Sequence, residues 1–261
     1  MRRAEEALIF RCGAVLARMC FICYTGGINR YNIIKNEVFH LAFKSKVSDA
    51  VVRRLPMYYR HLKELEREGI ERISSRELGE RMKLTASQIR QDINCFGGFG
   101  QQGYGYHVPE LRWHIGEILG LEKKYEVIVV GAGNIGRAVA NYDGFAREGF
   151  FVRALFDISE DLIGGEVQGI PVLSTQELPE WTKKHRTDIA VLAVPASEAQ
   201  KTADLIVSCG IRAIWNFAPV DLELPEGVMS NHVHLSDSLH ILTYRMNEEE
   251  LFSAMEKKNR G

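Results

Sequence analysis

The strongest constraint on this chain is the stretch YEVIVVGAGNIGRAVANY, Tyr125 to Tyr142, where a short apolar run feeds a Gly-x-Gly-x-x-Gly turn and then an alanine-bearing helix. Gly131 permits the tight turn, Gly133 leaves room for a pyrophosphate against bare backbone, and Gly136 lets the helix pack close on the strand. Amides at the start of that helix face the phosphates. A lone glycine pattern is weak evidence, but a second apolar run, Phe150 to Phe156, ends in Asp157 about twenty residues beyond the last glycine. Asp157 is thereby placed to accept hydrogen bonds from an adenosine ribose. Ile158 and Ser159 follow it, with no Arg or Lys to receive a 2′-phosphate, which favours NAD(H) over NADP(H).

The rest of the back half alternates strands and helices, as a doubly wound parallel sheet requires. Strands are expected near Ile170 to Leu173, over Asp188 to Val194 and Arg212 to Asn216, and near His232 to Leu235. Helices are expected near Gln176 to His185 and over Ser197 to Cys209. Val194-Pro195 and the loop Phe217-Ala218-Pro219 fall at the carboxyl edge, where such sheets bind ligands. With Gly131, Ala132, Gly133, Asn134, Ile135, Gly136 and Asp157 they make up the predicted NAD(H) site. The tail from Glu248 to Asn259 is amphipathic, with Leu251, Phe252 and Met255 on one stripe. An apolar stripe beyond a finished sheet has to be buried somewhere, and a partner subunit is a natural place.

Ahead of this half the pattern changes. Leu55, Tyr58, Leu62 and Leu65 recur at helical spacing, with Gly69 as a stop signal. Ser74-x-x-Glu77 and Thr85-x-x-Gln88 are capping boxes that open two short helices, to about Met82 and Cys95, in a helix-turn-helix. In the second, Ile89, Ile93 and Phe96 face inward, leaving Ser87, Arg90, Gln91 and Asn94 outward and Gln88 near the start. Such a face suits base edges and phosphates, although alone it is equally an ordinary solvated helix. The glycine, aromatic and amide run FGGFGQQGYGYHV, Phe96 to Val108, then reads as a wing carrying Gln101 and Gln102, and Pro109 starts a closing helix. Arg54, on the first helix, is counted with these residues as a contact to double-stranded DNA.

Charge follows the same division. Residues 46–125 carry 14 Lys and Arg against 11 Asp and Glu, whereas residues 126–261 carry 12 against 20. Only the first segment could approach a polyanion readily. Five scattered cysteines fit a reducing cytoplasm, and the Cys20-x-x-Cys23 pair has no second pair or nearby histidine to complete a zinc set, so no metal is expected. Residues 1–45 are expected to be a poorly ordered extension, such as an upstream in-frame addition. Their apolar run, Ala7 to Tyr24, contains Arg11 and Arg18, which argues against a membrane span and leaves a membrane-surface helix as the runner-up.

Taken together, RRLPMYYRHLKEL (Arg53 to Leu65), TASQIRQDINCFGGFGQQGYGY (Thr85 to Tyr106), VGAGNIGRAVANYDGF (Val130 to Phe145) and NFAPV (Asn216 to Val220) resemble the redox-sensing repressor family Rex, from about Ser48 to Asn259. The resemblance implies a homodimer whose winged helices bind an inverted-repeat operator when NADH is low and release it when NADH binds the Rossmann domains. It also implies a terminal helix exchanged between subunits, and a contact across the dimer between Tyr142 and Arg60, with His234 or nearby Asp237 as third member. Family members often carry basic residues where this chain has Gln91 and Gln102, and some carry Asp where it has His234.

The fold expected is therefore α/β: a winged helix-turn-helix domain over residues 46–124, a Rossmann-type doubly wound sheet over 125–246, and a swapped helix over 247–261. The competing function is an NAD-dependent oxidoreductase with an accessory domain. Its base would have to be His232, His234 or His240, and no Lys or Asp stands at a recognisable spacing from them. A CoA-binding ligase subunit shares the glycine turn but would need a phosphohistidine loop, and a pure dimerisation module would leave Asp157 unexplained.

Overall fold

The computed structural model describes residues 47–101 and 103–259, the side chains of Gln101 and of residues 250–259 excepted. The expectations for residues 1–45, for Gln102 and for the Leu251, Phe252 and Met255 stripe lie outside the described residues. The chain divides into two compact units between Gly120 and Leu121. Gly120 closes the last helix of the first unit at φ +73°, a left-handed conformation that suits glycine.

The first unit runs α1 (Asp49–Arg67), β1 (Arg72–Ile73), α2 (Ser75–Met82), α3 (Ala86–Asn94), β2 (Gly100–Gln101), β3 (Gly105–His107) and α4 (Val108–Leu119). On α1 the buried residues Val51, Leu55, Tyr58, Leu62 and Leu65 fall on one helical face, and they meet Ile89 and Ile93 of α3 and Leu111 and Ile115 of α4 in a single core. The capping box at α2 is complete: Ser74 Oγ accepts from Glu77 N–H at 3.1 Å, and the Glu77 carboxylate accepts from Ser74 N–H at 2.9 Å. The second expected box is only half made. Thr85 Oγ1 accepts from Gln88 N–H at 3.1 Å, but the Gln88 amide donates to Asp92 at 2.8 Å, a charge-assisted bond stronger than a neutral one. Strands β1, β3 and β2 form an antiparallel sheet in that order, with Gly100 opposite Tyr106 and Gln101 opposite Gly105. Gly105, at φ +71°, lies so close under β1 that a Cβ there would strike the Ile73 carbonyl oxygen.

The second unit contains β4 (Tyr125–Val130), α5 (Asn134–Ala140), α6 (Gly144–Arg147), β5 (Phe150–Asp157), β6 (Glu166–Val167), β7 (Ile170–Ser174) and α7 (Leu178–Lys184). It continues with β8 (Ile189–Leu192), α8 (Ala196–Ser208), β9 (Ala213–Asn216), β10 (Met229–His232) and α9 (Leu235–Asn259). The sheet order is β10-β9-β8-β4-β5-β7-β6, parallel throughout except for the β6 edge. Strands such as Val127–Val130, buried on both faces, belong to cores on opposite sides of the sheet. The order reverses at β4, which opens a crevice between the carboxyl ends of β4 and β8, the place where such sheets take ligands.

The end of the chain departs from expectation. The last strand stops at His232, and α9 begins at Leu235 rather than near Glu248. Leu235, Leu239, Leu242 and Met246 continue a helical spacing backward from the expected tail, so the boundary placed at residue 246 falls inside one continuous helix. Leu235, Leu239, Ile241, Leu242, Tyr244 and Met246 are each more than half exposed in the single chain.

Candidate functional site

At the crevice the three glycines have different reasons to be glycine. Gly131 sits at φ +102°, and a Cβ there would strike the Ala193 carbonyl oxygen beyond β8. At Gly136 it would strike the Gly131 carbonyl oxygen. At Gly133 it would meet nothing within 4 Å. Gly131 and Gly136 are thus required by the chain's own packing, whereas the space above Gly133 is open, as a site for a phosphate must be. Gly133 and Asn134 are exposed, Ile135 is half-buried, and Ala132 is 1% exposed.

Asp157, the last residue of β5, closes one side. Its Oδ2 accepts from Ala132 N–H at 2.6 Å, and its Oδ1 accepts from Ile158 and Ser159 N–H at 2.8 and 2.9 Å. A carboxylate has about four acceptor positions, so roughly one remains for an outside hydroxyl. Asp157 therefore braces the glycine turn, a use the sequence did not suggest. Strand ends are tied across the edge: Gly131 N–H donates to Phe156 O, Ala193 N–H to Val130 O and Phe217 N–H to Leu192 O, each at 2.8 Å. This brings Val194, Pro195 and the Phe217-Ala218-Pro219 loop to the same edge as the glycine turn. Tyr142, 60% exposed beyond α5, joins the loop through rings in edge contact: Tyr142 to Phe145 at 4.7 Å, Phe145 to Trp215 at 5.6 Å, and Trp215 to Phe217 at 4.6 Å between centroids.

Asn216 anchors the loop. Fully buried, it donates from Nδ2 to Val220 O at 2.9 Å and to His232 Nδ1 at 3.0 Å, and its Oδ1 accepts from Ala218 N–H at 2.9 Å. No Asp stands at a recognisable sequence spacing from the late histidines, but the fold brings one near in space. The chain after β9 brings Asp221 Oδ1 to 3.9 Å from His232 Nδ1, and Asp221, His232 and His234 hold ligand-type atoms within 4.8 Å of one another. The arrangement is a poor metal cage. Asn216 occupies the lone pair of His232 Nδ1, which fixes the Nε2–H tautomer, and that group lies 3.2 Å from Ser230 Oγ. The same two bonds occupy both ring nitrogens, so His232 is ill placed to serve as a base.

In the first unit, Ser87, Arg90, Gln91 and Asn94 of α3 are exposed, and Arg90 reaches Ser75 Oγ at 3.0 Å. Arg60 is also exposed, on α1. Arg54 and Gln88, expected on the DNA-facing surface, are turned to another use. Arg54 donates from Nε and Nη2 to the two oxygens of Asp92 at 2.6 and 2.9 Å, Gln88 donates at 2.8 Å, and Tyr58 Oη donates at 2.8 Å. Asp92 is 1% exposed. Burial pushes its carboxyl up, but the bonds from Arg54, Gln88 and Tyr58 outweigh that and hold it below the ordinary range. Burial, reinforced by Asp92, drives the Tyr58 phenol well above its usual range.

A winged helix-turn-helix unit followed by a Rossmann unit with a bare glycine turn defines a class: a DNA-binding regulator with a dinucleotide-type sensing domain. Family profiles agree, with "Putative DNA-binding protein N-terminus" matching residues 46–94 and "CoA binding domain" matching residues 122–220. The redox-sensing transcriptional repressor Rex of Thermoanaerobacter pseudethanolicus is 51% identical over 212 residues, covering 81% of this chain and 95% of the relative. That of Clostridium tetani is 49% identical over 207 residues, covering 79% and 98%. Among solved structures, RSP, a Rex-family repressor, matches with a TM-score of 0.76 at 48% identity, over 81% of this chain and 99% of RSP. RSP in complex with β-NAD+ and operator DNA matches with a TM-score of 0.75 at 50% identity, over 81% and 98%. The chain belongs to the Rex family of redox-sensing transcriptional repressors.

Proposed function

We propose that this chain is a homodimeric repressor that holds an inverted-repeat operator when NADH is scarce and releases it when NADH binds. The observation that carries the sensing half is the open backbone at Gly133, between two glycines that the chain's own packing demands and beside Asp157. RSP has been solved both with β-NAD+ and operator DNA and with β-NADH, which supports the same pair of ligands here. Asp157 takes a ribose hydroxyl on its remaining acceptor position, and Ile158-Ser159 offers no cation to a 2′-phosphate. Val194, Pro195 and the Phe217 to Pro219 loop border the nicotinamide, and a neutral reduced ring suits an apolar niche better than a cationic oxidised one.

On the DNA side, Arg90, Ser87, Gln91 and Asn94 meet base edges and phosphates, with Gln101 and Gln102 in the wing. The partner subunit covers the apolar residues of α9, in keeping with a swapped terminal helix, and the protein works in the cytoplasm. Arg60, Tyr142 and His234, or Asp237, make the contact that keeps two winged helices at operator spacing. Reduced dinucleotide shifts the equilibrium only by its differential affinity for the released form, and a complete switch needs roughly 5 kcal/mol. The deciding experiment is operator binding at fixed total pyridine nucleotide with the NADH fraction varied. Release should track NADH, and an operator complex that survives excess NADH would defeat the reading.

A further inference from the structure

A carboxylate on the inward side of the DNA-reading helix needs a reason. Asp92 lies on α3 among Ile89, Ile93 and Phe96, and a buried charge without partners would be expelled or neutralised. Here three side chains answer it, two of them from α1: Arg54 with a two-pronged bond and Tyr58 with its hydroxyl. Gln88, one turn earlier on α3, is the third. The Arg54 side chain retains only 25% exposure. Its fork is planar and rigid, so engaging both carboxylate oxygens fixes an angle as well as a distance. Apolar contacts between Leu55, Tyr58, Ile89 and Ile93 would tolerate a small roll of α3 on α1, because they carry no direction. The bonds to Asp92 do not.

We infer that Asp92 and Arg54 are positioning residues for operator discrimination: they set the roll of α3 on α1, and Arg54 acts through Asp92 rather than by touching phosphate. This rests on the reading that α3 faces the bases, and it reassigns Arg54 and Gln88 within that reading. The consequence separates two quantities that a phosphate contact would change together. Loss of a phosphate contact weakens binding to every sequence and lowers the salt slope by about 0.9. Loss of a strut misaims Arg90, Gln91 and Asn94, so it weakens the operator complex and leaves binding to random duplex and its salt slope alone.

The test uses the full chain, an operator duplex and a scrambled duplex of equal length, each titrated across a salt series, with thermal unfolding as a control. Arg54→Gln and Asp92→Asn should each lower operator affinity about 10- to 100-fold, the loss expected when one or two base contacts are misplaced, with scrambled-duplex affinity and salt slope unchanged. Equal losses on both duplexes with a lower slope would overturn the inference and return Arg54 to the phosphate surface. Should those variants unfold, Tyr58→Phe removes a single hydrogen bond without changing shape, and it should lower the operator-to-scrambled ratio several-fold. An unchanged ratio in a folded Tyr58→Phe protein would also overturn it. Arg90→Ala distinguishes failure of the underlying reading: if that variant keeps full operator affinity, α3 does not read DNA and Asp92 has nothing to aim.

Discussion

Helix α3 and the glycine turn hold their shapes by different means. At α3, four hydrogen bonds from three side chains converge on the buried Asp92 carboxylate. At the turn, the main chain does most of the holding: carbonyl oxygens of Gly131 and Ala193 occupy the space a Cβ would need, and Asp157 adds bonds to backbone amides. Side-chain support can be loosened by degrees, because each bond contributes about 1.5 to 3 kcal/mol when one partner is charged. Steric exclusion by backbone is all or none. A turn built the second way is rigid and unforgiving, while a helix held the first way can be retuned.

Substitutions at the glycines should break the comparison most sharply. Gly136→Ala forces a Cβ onto the Gly131 carbonyl oxygen and should destabilise the Rossmann unit by about 4 kcal/mol or more, visible as a separate early transition in calorimetry. Gly133→Val, three residues away, has open space at its Cβ and should cost only about 1 kcal/mol through a poorer N-cap on α5, yet abolish NADH binding measured by fluorescence. Normal NADH binding by Gly133→Val would remove the phosphate from this position.

Next in size is Arg90→Ala, expected to cost about 1 to 3 kcal/mol of operator affinity in a gel-shift titration. Tyr142→Phe and Arg60→Ala should change NADH-dependent release more than NADH binding itself, measured by following both in one sample. The smallest effect is on pH. The Asp92 carboxyl lies below its ordinary value of 3.8 in the folded unit, so its contribution is complete above that value. It is lost as pH falls through the lower folded value. Acid unfolding of the first unit should therefore be blunted in Asp92→Asn, and an unchanged acid transition would show that Asp92 contributes no net charge effect.

Much of this was legible because the informative signals are local. A glycine turn after an apolar run, a capping box at Ser74 and Glu77, and the stripe Leu55, Tyr58, Leu62, Leu65 each declare an element within one or two turns of chain. Partnerships across the fold were not legible: Arg54 and Asp92 are 38 residues apart, and Arg54 alone reads as a DNA contact. One trace was present, since Asp92 occupies the i+3 place on the stripe of Ile89, Ile93 and Phe96, where a carboxylate has no business without a cation. Asp221 beside His232 depends on the path of the chain after β9, and periodicity says nothing about that. The early start of α9 was in the spacing of Leu235, Leu239 and Leu242, but strand and helix readings compete over so short an apolar run.

Helix α9 also bears on how the protein responds to dilution. A 25-residue helix extends about 37 Å at 1.5 Å per residue, and this one presents Leu239, Ile241, Leu242 and Tyr244 to water in the single chain. If a second copy covers that length, folding and assembly are one mass-action equilibrium, and no single melting temperature describes the protein apart from its concentration. A tenfold dilution should lower the unfolding midpoint, and Leu239→Glu should lower it further while steepening its dependence on protein concentration. The number of molecules present, as well as the nucleotide they sense, then sets how much competent repressor exists.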